Sequence, residues 1–297
     1  MQVPSHVEYE RPGTIEEALT LLASGNGDAR PLAGGHSLIP MMKLRLARPE
    51  LLVDINGLTE LAYIRQEGSQ IKIGALTKHA ELLESAVVYE HYPIFRDAER
   101  VIADPVVRNW GTVGGSLCQA DPSEDLSAAF AAARATVVIR SAAGSRLVTA
   151  RELHVGPYET VVQPGELVTE IQLPIVARTG SAYQKVERRV GDWSIVAVGA
   201  VLTLAADGTI ETAGIGLTAV GAPHFAAPEA EAYLAGKPAT EESFAQAASI
   251  AATNSNPVSD QRGPEDYKRH LVAELTTRAL RRAAGRAAAG TPEMNRA

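Results

Sequence analysis

Leu32-Ala33-Gly34-Gly35-His36-Ser37-Leu38 is the stretch from which the rest of the chain is read. Adjacent glycines carry no Cβ, so the backbone there can come close to a ligand. Pro31-Leu32-Ala33 ahead of them is a short apolar run suited to a strand. Ser37 to Leu44 behind them suits a helix, with Ser37 as its cap and Pro40 tolerated in the first turn. A glycine turn entering a helix offers free N–H groups and the positive end of a dipole, which favours a phosphate. A plain tight turn is the competing reading.

A second stretch repeats the pattern: Gly111-Thr112-Val113-Gly114-Gly115-Ser116-Leu117-Cys118-Gln119-Ala120-Asp121-Pro122-Ser123-Glu124-Asp125. Two such bends could hold the two phosphates of one pyrophosphate. Neither matches G-x-G-x-x-G, the fingerprint of a Rossmann unit. Asp54 follows Gly35 by 19 residues, near the ribose-acid spacing of that fingerprint. Without the glycines it reads as the end of a strand in Leu51–Ile55.

Outward from these bends the chain divides. Thr14-Ile15-Glu16-Glu17 has capping-box spacing, and Ile15, Ala18, Leu19 and Leu22 form one apolar helical face. Residues 1–57 are therefore expected to be a small α/β unit. Ala62–Arg65 and Gln70–Ile73 flank Glu67-Gly68-Ser69 as a hairpin. Thr77 is expected to cap a helix through Leu83, and Pro93 to open another that Asp104-Pro105 breaks. Asp125–Arg134 reads as helix; Ala135–Ile139, Arg146–Thr149 and Leu167–Leu173 read as strands. Residues 58–177 then form a second α/β unit with a largely antiparallel sheet. Three strand-like runs (Ala182–Val186, Ser194–Leu204, Ile210–Leu217) precede helices at Glu229–Leu234, Glu241–Ala252 and Asp266–Ala284. Strands followed by helices predict an α+β domain over 178–290, a three-stranded antiparallel sheet with a helical bundle. Residues 291–297 read as a frayed tail.

The pair Ala-Gly-Gly-His-Ser-Leu and Thr-Val-Gly-Gly-Ser-Leu, followed by Ala120-Asp121-Pro122 and Asp125, resembles the FAD-binding medium subunits of the molybdenum hydroxylases, the xanthine dehydrogenase family. Lys185-Val186-Glu187-Arg188-Arg189-Val190-Gly191-Asp192-Trp193 resembles the family's flavin-contacting segment, most of all in its aerobic carbon monoxide dehydrogenase branch. The resemblance spans nearly the whole chain. It implies an α+β protein with a two-subdomain FAD-binding fold of the vanillyl-alcohol-oxidase/PCMH type. It implies non-covalent FAD, a large molybdopterin-binding subunit, a small subunit with two [2Fe-2S] clusters, a dimer of heterotrimers and an external electron acceptor.

The candidate contacts follow. N–H groups of Gly34, Gly35, His36 and Ser37, and of Gly114, Gly115 and Ser116, would grip the pyrophosphate, with hydroxyls of Ser37, Thr112 and Ser116 adding donors. Leu32, Ala33 and Leu38 complete the first bend. Asp125 is either a ribose or adenine acceptor or a helix cap. Val168 packs on the ring system or in a core strand. Lys185 is either a cation beside the flavin N1/C2 carbonyl edge, tuning its potential, or a surface lysine. Trp193 stands where the carbon monoxide dehydrogenase branch has a tyrosine near the ring; a core tryptophan is its alternative. His36 is not expected to bond FAD covalently.

Composition sets the limits. The 297 residues are 45% hydrophobic and 21% charged, an ordinary globular profile with length for two or three small domains. Net charge is −7 and pI about 5.6, which disfavours nucleic acid. The arginines near the C-terminus (Arg278, Arg281, Arg282, Arg286) read as a solvated face or a docking face. The single cysteine, Cys118, excludes an internal disulfide or four-cysteine cluster, and is expected to be buried by the bend. Seven scattered histidines offer no metal site. Ile195–Ala206 is too short to cross a bilayer, which needs roughly 20 residues. The cytoplasm is the default, with any membrane association left to partners. A free-standing flavin oxidase and a non-enzymatic nucleotide-binding module remain as alternatives.

Overall fold

The computed structural model describes residues 3–25 and 27–289. Asn26 and the 291–297 tail lie outside the described residues. In the first unit, β1 (Glu8–Glu10) and β2 (Ala29–Leu32) both pair in parallel with β3 (Leu51–Asp54), giving the order β1-β3-β2. Parallel neighbours need crossovers, which α1 (Ile15–Ser24) and α2 (Leu38–Lys43) supply. Thr14 caps α1, its Oγ1 accepting from the Glu17 N–H at 3.1 Å. The Glu17 carboxylate reaches one residue further than a capping box requires and accepts from the Gly13 N–H at 2.7 Å.

The second unit carries β4 (Ile64–Glu67), β5 (Gln70–Gly74), β6 (Thr136–Ser141), β7 (Gly144–Thr149) and, after a hairpin of β8 (His154–Gly156) and β9 (Glu159–Thr160), β10 (Leu167–Pro174). Its sheet has order β4-β5-β10-β6-β7 and every pair is antiparallel. Short helices fill the long connection from β5 to β6: α3 (His79–Glu84), α4 (Ala86–His91), α5 (Pro93–Glu99), α6 (Pro105–Trp110), α7 (Val113–Gln119) and α8 (Asp125–Ala132), with α9 (Ala150–Leu153) after β7.

One expectation fails in this connection. Thr77 does not cap α3; its Oγ1 donates to the Tyr63 carbonyl at 2.9 Å, and Lys78 holds the cap position. The helix that Pro93 opens does end before Asp104-Pro105, but that pair also begins the next helix. Asp104 Oδ1 accepts from the Val107 N–H at 2.9 Å, and Pro105, needing no N–H partner in a first turn, starts α6.

The third unit is the antiparallel sheet β11 (Thr179–Val186), β12 (Val196–Leu204) and β13 (Ile210–Thr218), followed by α10 (Pro228–Leu234), α11 (Glu241–Asn254) and α12 (Glu265–Ala289). Every residue of β12 is buried. Helix α12 packs on β11 and β12 while α8 packs on β12 and β13. Gly214 and Gly216 admit α8: a Cβ on either would fall onto the Ala132 or Ala128 carbonyl. A sheet covered on both faces explains the unbroken apolar run that the chain shows here. Among the described residues no helix is long and apolar enough to cross a membrane.

Three apolar cores result. The N-terminal one joins Ile15, Leu19, Leu22 and Val53 to Leu58, Leu61, Leu76 and Leu167 from the following unit. The central core surrounds Phe95, Phe130 and Ile171, and the C-terminal core lies between the third sheet and its helices.

Candidate functional site

A cleft of about 940 Å³ opens where the three units meet. It is lined by residues 28–38 of the first unit, by Thr112, Gly114, Gly115, Ser116, Asp125 and Val168 of the second, and by Lys185 and Trp193 of the third. Every residue assigned above to a cofactor thus faces one space.

The first bend is built as a cradle. Gly35 takes φ +73°, a left-handed conformation that turns the chain from β2 into α2. A Cβ on Gly34 would fall onto the Trp110 carbonyl, so the two glycine stretches touch through that position. Asn56 holds the preceding strand end: its amide donates to the Ala33 carbonyl at 2.7 Å, to the Leu32 carbonyl at 3.2 Å and to Asp54 Oδ1 at 2.7 Å. Asp54, at the end of β3, also accepts from the Tyr9 hydroxyl. With the carbonyls turned to Asn56, the N–H groups of Gly34, Gly35, His36 and Ser37 meet no acceptor among the described residues. Ser37 occupies the cap position of α2 but its hydroxyl makes no capping bond, contrary to expectation, and stays free for the cleft. His36 is exposed, with Nδ1 3.0 Å from the Gly34 carbonyl.

The second stretch departs from the expected loop. Gly114 and Gly115 lie in the first turn of α7, which Thr112 caps by accepting from the Gly115 N–H at 3.2 Å. Gly114 N–H donates to the Ala75 carbonyl at 2.9 Å and Ser116 N–H to the Thr112 carbonyl at 3.0 Å. Those N–H groups are already engaged, so this stretch offers the cleft a close backbone and the Ser116 hydroxyl rather than a second row of amides. Cys118, expected to be buried, is exposed in the cleft.

Asp125 and Lys185 meet each other. Lys185 Nζ lies 2.9 Å from Asp125 Oδ2 and 3.4 Å from Glu187 Oε2, and donates to the Val101 carbonyl at 3.0 Å. The Lys185 side chain is only 2% exposed, so the surface-lysine reading is set aside. Asp125 Oδ1 accepts from the hydroxyls of Tyr183 and Ser194, each at 2.8 Å. Nor is Asp125 the cap of α8: Glu124 is, accepting from the N–H groups of Leu126 and Ser127. Burial pushes the Glu124 carboxyl up to about 7, against the hydrogen bonds from Ser127 and Leu126. Val168 sits in β10 beside a register shift and is buried. Trp193 is 46% exposed, so it is no core residue. Its loop is pinned by Gly191, at φ +78°, whose missing Cβ lets it lie against the Ala103 carbonyl.

Composition and motif reading missed several groups lining or framing this cleft: Asn56, Glu124, Tyr183 and Ser194, and the buried pair His79 and Glu99, whose His79 Nδ1 lies 2.9 Å from Glu99 Oε1. All but Glu124 act through a partner distant in sequence that no local spacing signals; Glu124 caps α8 through Leu126 and Ser127, where Asp125 was the residue weighed as cap.

Residues 5–176 match the family described as the FAD binding domain in molybdopterin dehydrogenase, and residues 181–283 match the CO dehydrogenase flavoprotein C-terminal domain. The carbon monoxide dehydrogenase medium chain of Afipia carboxidovorans is 41% identical over 290 residues, covering 96% of this chain and 99% of that one. The glyceraldehyde dehydrogenase medium chain of Sulfolobus acidocaldarius is 38% identical over 281 residues, covering 95% and 99%. A solved structure of carbon monoxide dehydrogenase from Hydrogenophaga pseudoflava superposes with a TM-score of 0.91 at 41% identity, covering 95% and 99%.

Proposed function

Because the chain belongs to the family of FAD-binding medium subunits of the molybdenum hydroxylases, we propose that it receives electrons from [2Fe-2S] clusters on a small partner subunit and passes them to an external acceptor, while a large molybdopterin-bearing partner oxidises the substrate. The chain is a FAD-dependent oxidoreductase subunit. FAD, when bound, supplies a ring able to take and release electrons in steps of one or two.

The observation that carries the assignment of the cleft is the run of unpaired amides from Gly34 to Ser37, turned into a space shared by all three units. Four adjacent donors with free hydrogens suit a diphosphate. A volume of about 940 Å³ lies at the upper end of ligand pockets, roughly 300–1,000 Å³, as a dinucleotide requires. In this reading the first bend and the hydroxyls of Ser37 and Ser116 hold the phosphates, and Leu32, Ala33 and Leu38 flank them. Val168, Lys185 and Trp193 lie toward the ring. Asp125 serves chiefly by compensating Lys185. His36 holds its neighbouring carbonyl and leaves the flavin non-covalent.

Exposed Val106 and Trp110 on α6, with Val190 and Trp193 on the pinned loop, give this end of the molecule an apolar rim suited to a partner. The assembly proposed is a heterotrimer that pairs with a second copy. The relatives bear the names of a carbon monoxide and a glyceraldehyde dehydrogenase chain, so one flavin fold accommodates either substrate elsewhere in the complex.

The test is direct. The full chain, purified from cells supplied with riboflavin, is expected to carry flavin absorbance, and denaturation is expected to release FAD with no colour left on the protein. A Gly34→Ala chain is expected to lose bound flavin, since the new methyl meets the Trp110 carbonyl. A colourless wild-type chain that takes up no added FAD would end this reading.

A further inference from the structure

His79 and Glu99 are buried beside the cleft, 4% and 0% exposed, and neither is among the groups that hold the phosphates or flank the ring. His79 opens α3 and Glu99 closes α5. The second ring nitrogen, His79 Nε2, lies 3.1 Å from Ser116 Oγ. Both His79 and Ser116 line the cleft. Burying a charged pair is costly, and apolar side chains often fill such a space without loss of stability. A carboxylate, an imidazole and a hydroxyl in a row therefore invite a chemical reason.

The reason lies in counting protons. A serine hydroxyl has one hydrogen to donate, and an imidazole nitrogen donates or accepts according to its protonation. When the His79–Glu99 pair holds two protons, they sit either as imidazolium with carboxylate or as imidazole with carboxylic acid. In both arrangements Nε2 bears a hydrogen and donates it to Ser116 Oγ, and the serine's own hydrogen is free to point into the cleft. When the pair holds one proton, it sits on Nδ1 facing the carboxylate. Nε2 then accepts the serine hydrogen, and Ser116 shows the cleft only lone pairs.

We infer that His79, held by Glu99, is a positioning residue that sets the direction of the Ser116 hydroxyl, so that the doubly protonated pair makes Ser116 a donor to the diphosphate of FAD. The inference rests on the flavin reading of the cleft. The groups that bias the pair come from two neighbouring helices, α6 and α8 with its cap. Arg108 of α6 opposes the proton on His79, while Glu124 of α8 favours it; Asp125 of α8 favours the proton on Glu99. Burial by itself would lower His79, but the charge and hydrogen bond of Glu99 outweigh it and hold the imidazole above its ordinary 6.5. Burial also raises Glu99. The second proton is thus held on the acid side and is lost as pH rises through the raised value. Affinity for FAD must follow, full on the acid side and weaker on the alkaline side.

The measurement is equilibrium dialysis of FAD against the full chain freed of flavin, from pH 6 to pH 9. A hydrogen bond to a charged group is worth about 1.5–3 kcal/mol, so wild-type affinity is expected to fall about 10- to 100-fold across the titration. Ser116→Ala is expected to bind weakly with a flat profile, because the group whose direction changes is gone. His79→Gln is expected to bind tightly with a flat profile, its amide hydrogen taking the place of Nε2–H at every pH. Circular dichroism checks that each variant is folded, and Ser116→Ala alone decides the matter if His79→Gln is not. A flat wild-type profile, or a wild-type slope persisting in Ser116→Ala, overturns the inference while leaving the flavin site intact. Absence of FAD binding at every pH overturns the flavin reading and the inference with it.

Discussion

At the scale of single residues, the least replaceable group is Lys185. Its ammonium sits between Asp125, Glu187 and the Val101 carbonyl, out of reach of water. Removing one member of a buried charged cluster leaves the others uncompensated, at a cost of roughly 3–5 kcal/mol. Lys185→Met is therefore expected to lower stability by about that much in urea denaturation. It is also expected to shift the potential of bound flavin negative, since a nearby cation favours the reduced anion; an unchanged potential would remove Lys185 from any electronic role. The motif reading singled out Lys185 and Asp125 one by one. That they bond to each other was not legible, because one belongs to α8 and the other to β11, and only the packed fold brings those elements together. The same holds for Ser116, whose neighbours His79 and Glu99 come from α3 and α5.

Among the elements, α12 ties the third unit to the second. Arg286 Nη1 lies 2.6 Å from Asp97 Oδ2, and Arg282 reaches the same carboxylate at 3.3 Å. Arg281 instead pairs with Glu241 and Arg278 with Glu274. Gly180 of β11 lets α12 lie flush, since a Cβ there would meet the Ala283 carbonyl and the Ala287 amide. Gly180→Val is expected to cost about 1–3 kcal/mol by overpacking, read as a lowered thermal midpoint. The arginine run was legible only as a solvated or docking face; the acidic partner of Arg282 and Arg286 lies on α5, far off in sequence. Elements with a strong pattern, the amphipathic α1, the unbroken apolar β12 and α11, stand close to where that pattern puts them. Helices α6 and α7 were hidden because Asp-Pro and Gly-Gly are read as breakers, whereas here each sits at a helix start, where proline lacks only a surplus donor and glycine permits close packing on Ala75.

For the whole molecule, the cleft couples ligand, proton and stability. Glu124 caps α8 in the floor of the cleft, and burial raises it from 4.5 to about 7. Between those values the folded chain keeps a proton that the unfolded chain has released, so stability falls as pH rises through that window and levels off above it. Glu124→Gln is expected to flatten the slope between pH 5 and pH 8 in denaturant titrations. A ligand that binds only the folded state adds stability, about 2.7 kcal/mol at a hundredfold excess over its Kd, so added FAD should raise the melting temperature of the flavin-free chain. The N-terminal hydrophobic core carries a further consequence. Leu58, Leu61, Leu76 and Leu167 complete the floor under α1 and β3. A gene severed after Gly57 would therefore yield a peptide missing four of the eleven buried residues of this core, and swapping that lobe between related flavoproteins demands that those four leucines travel with it.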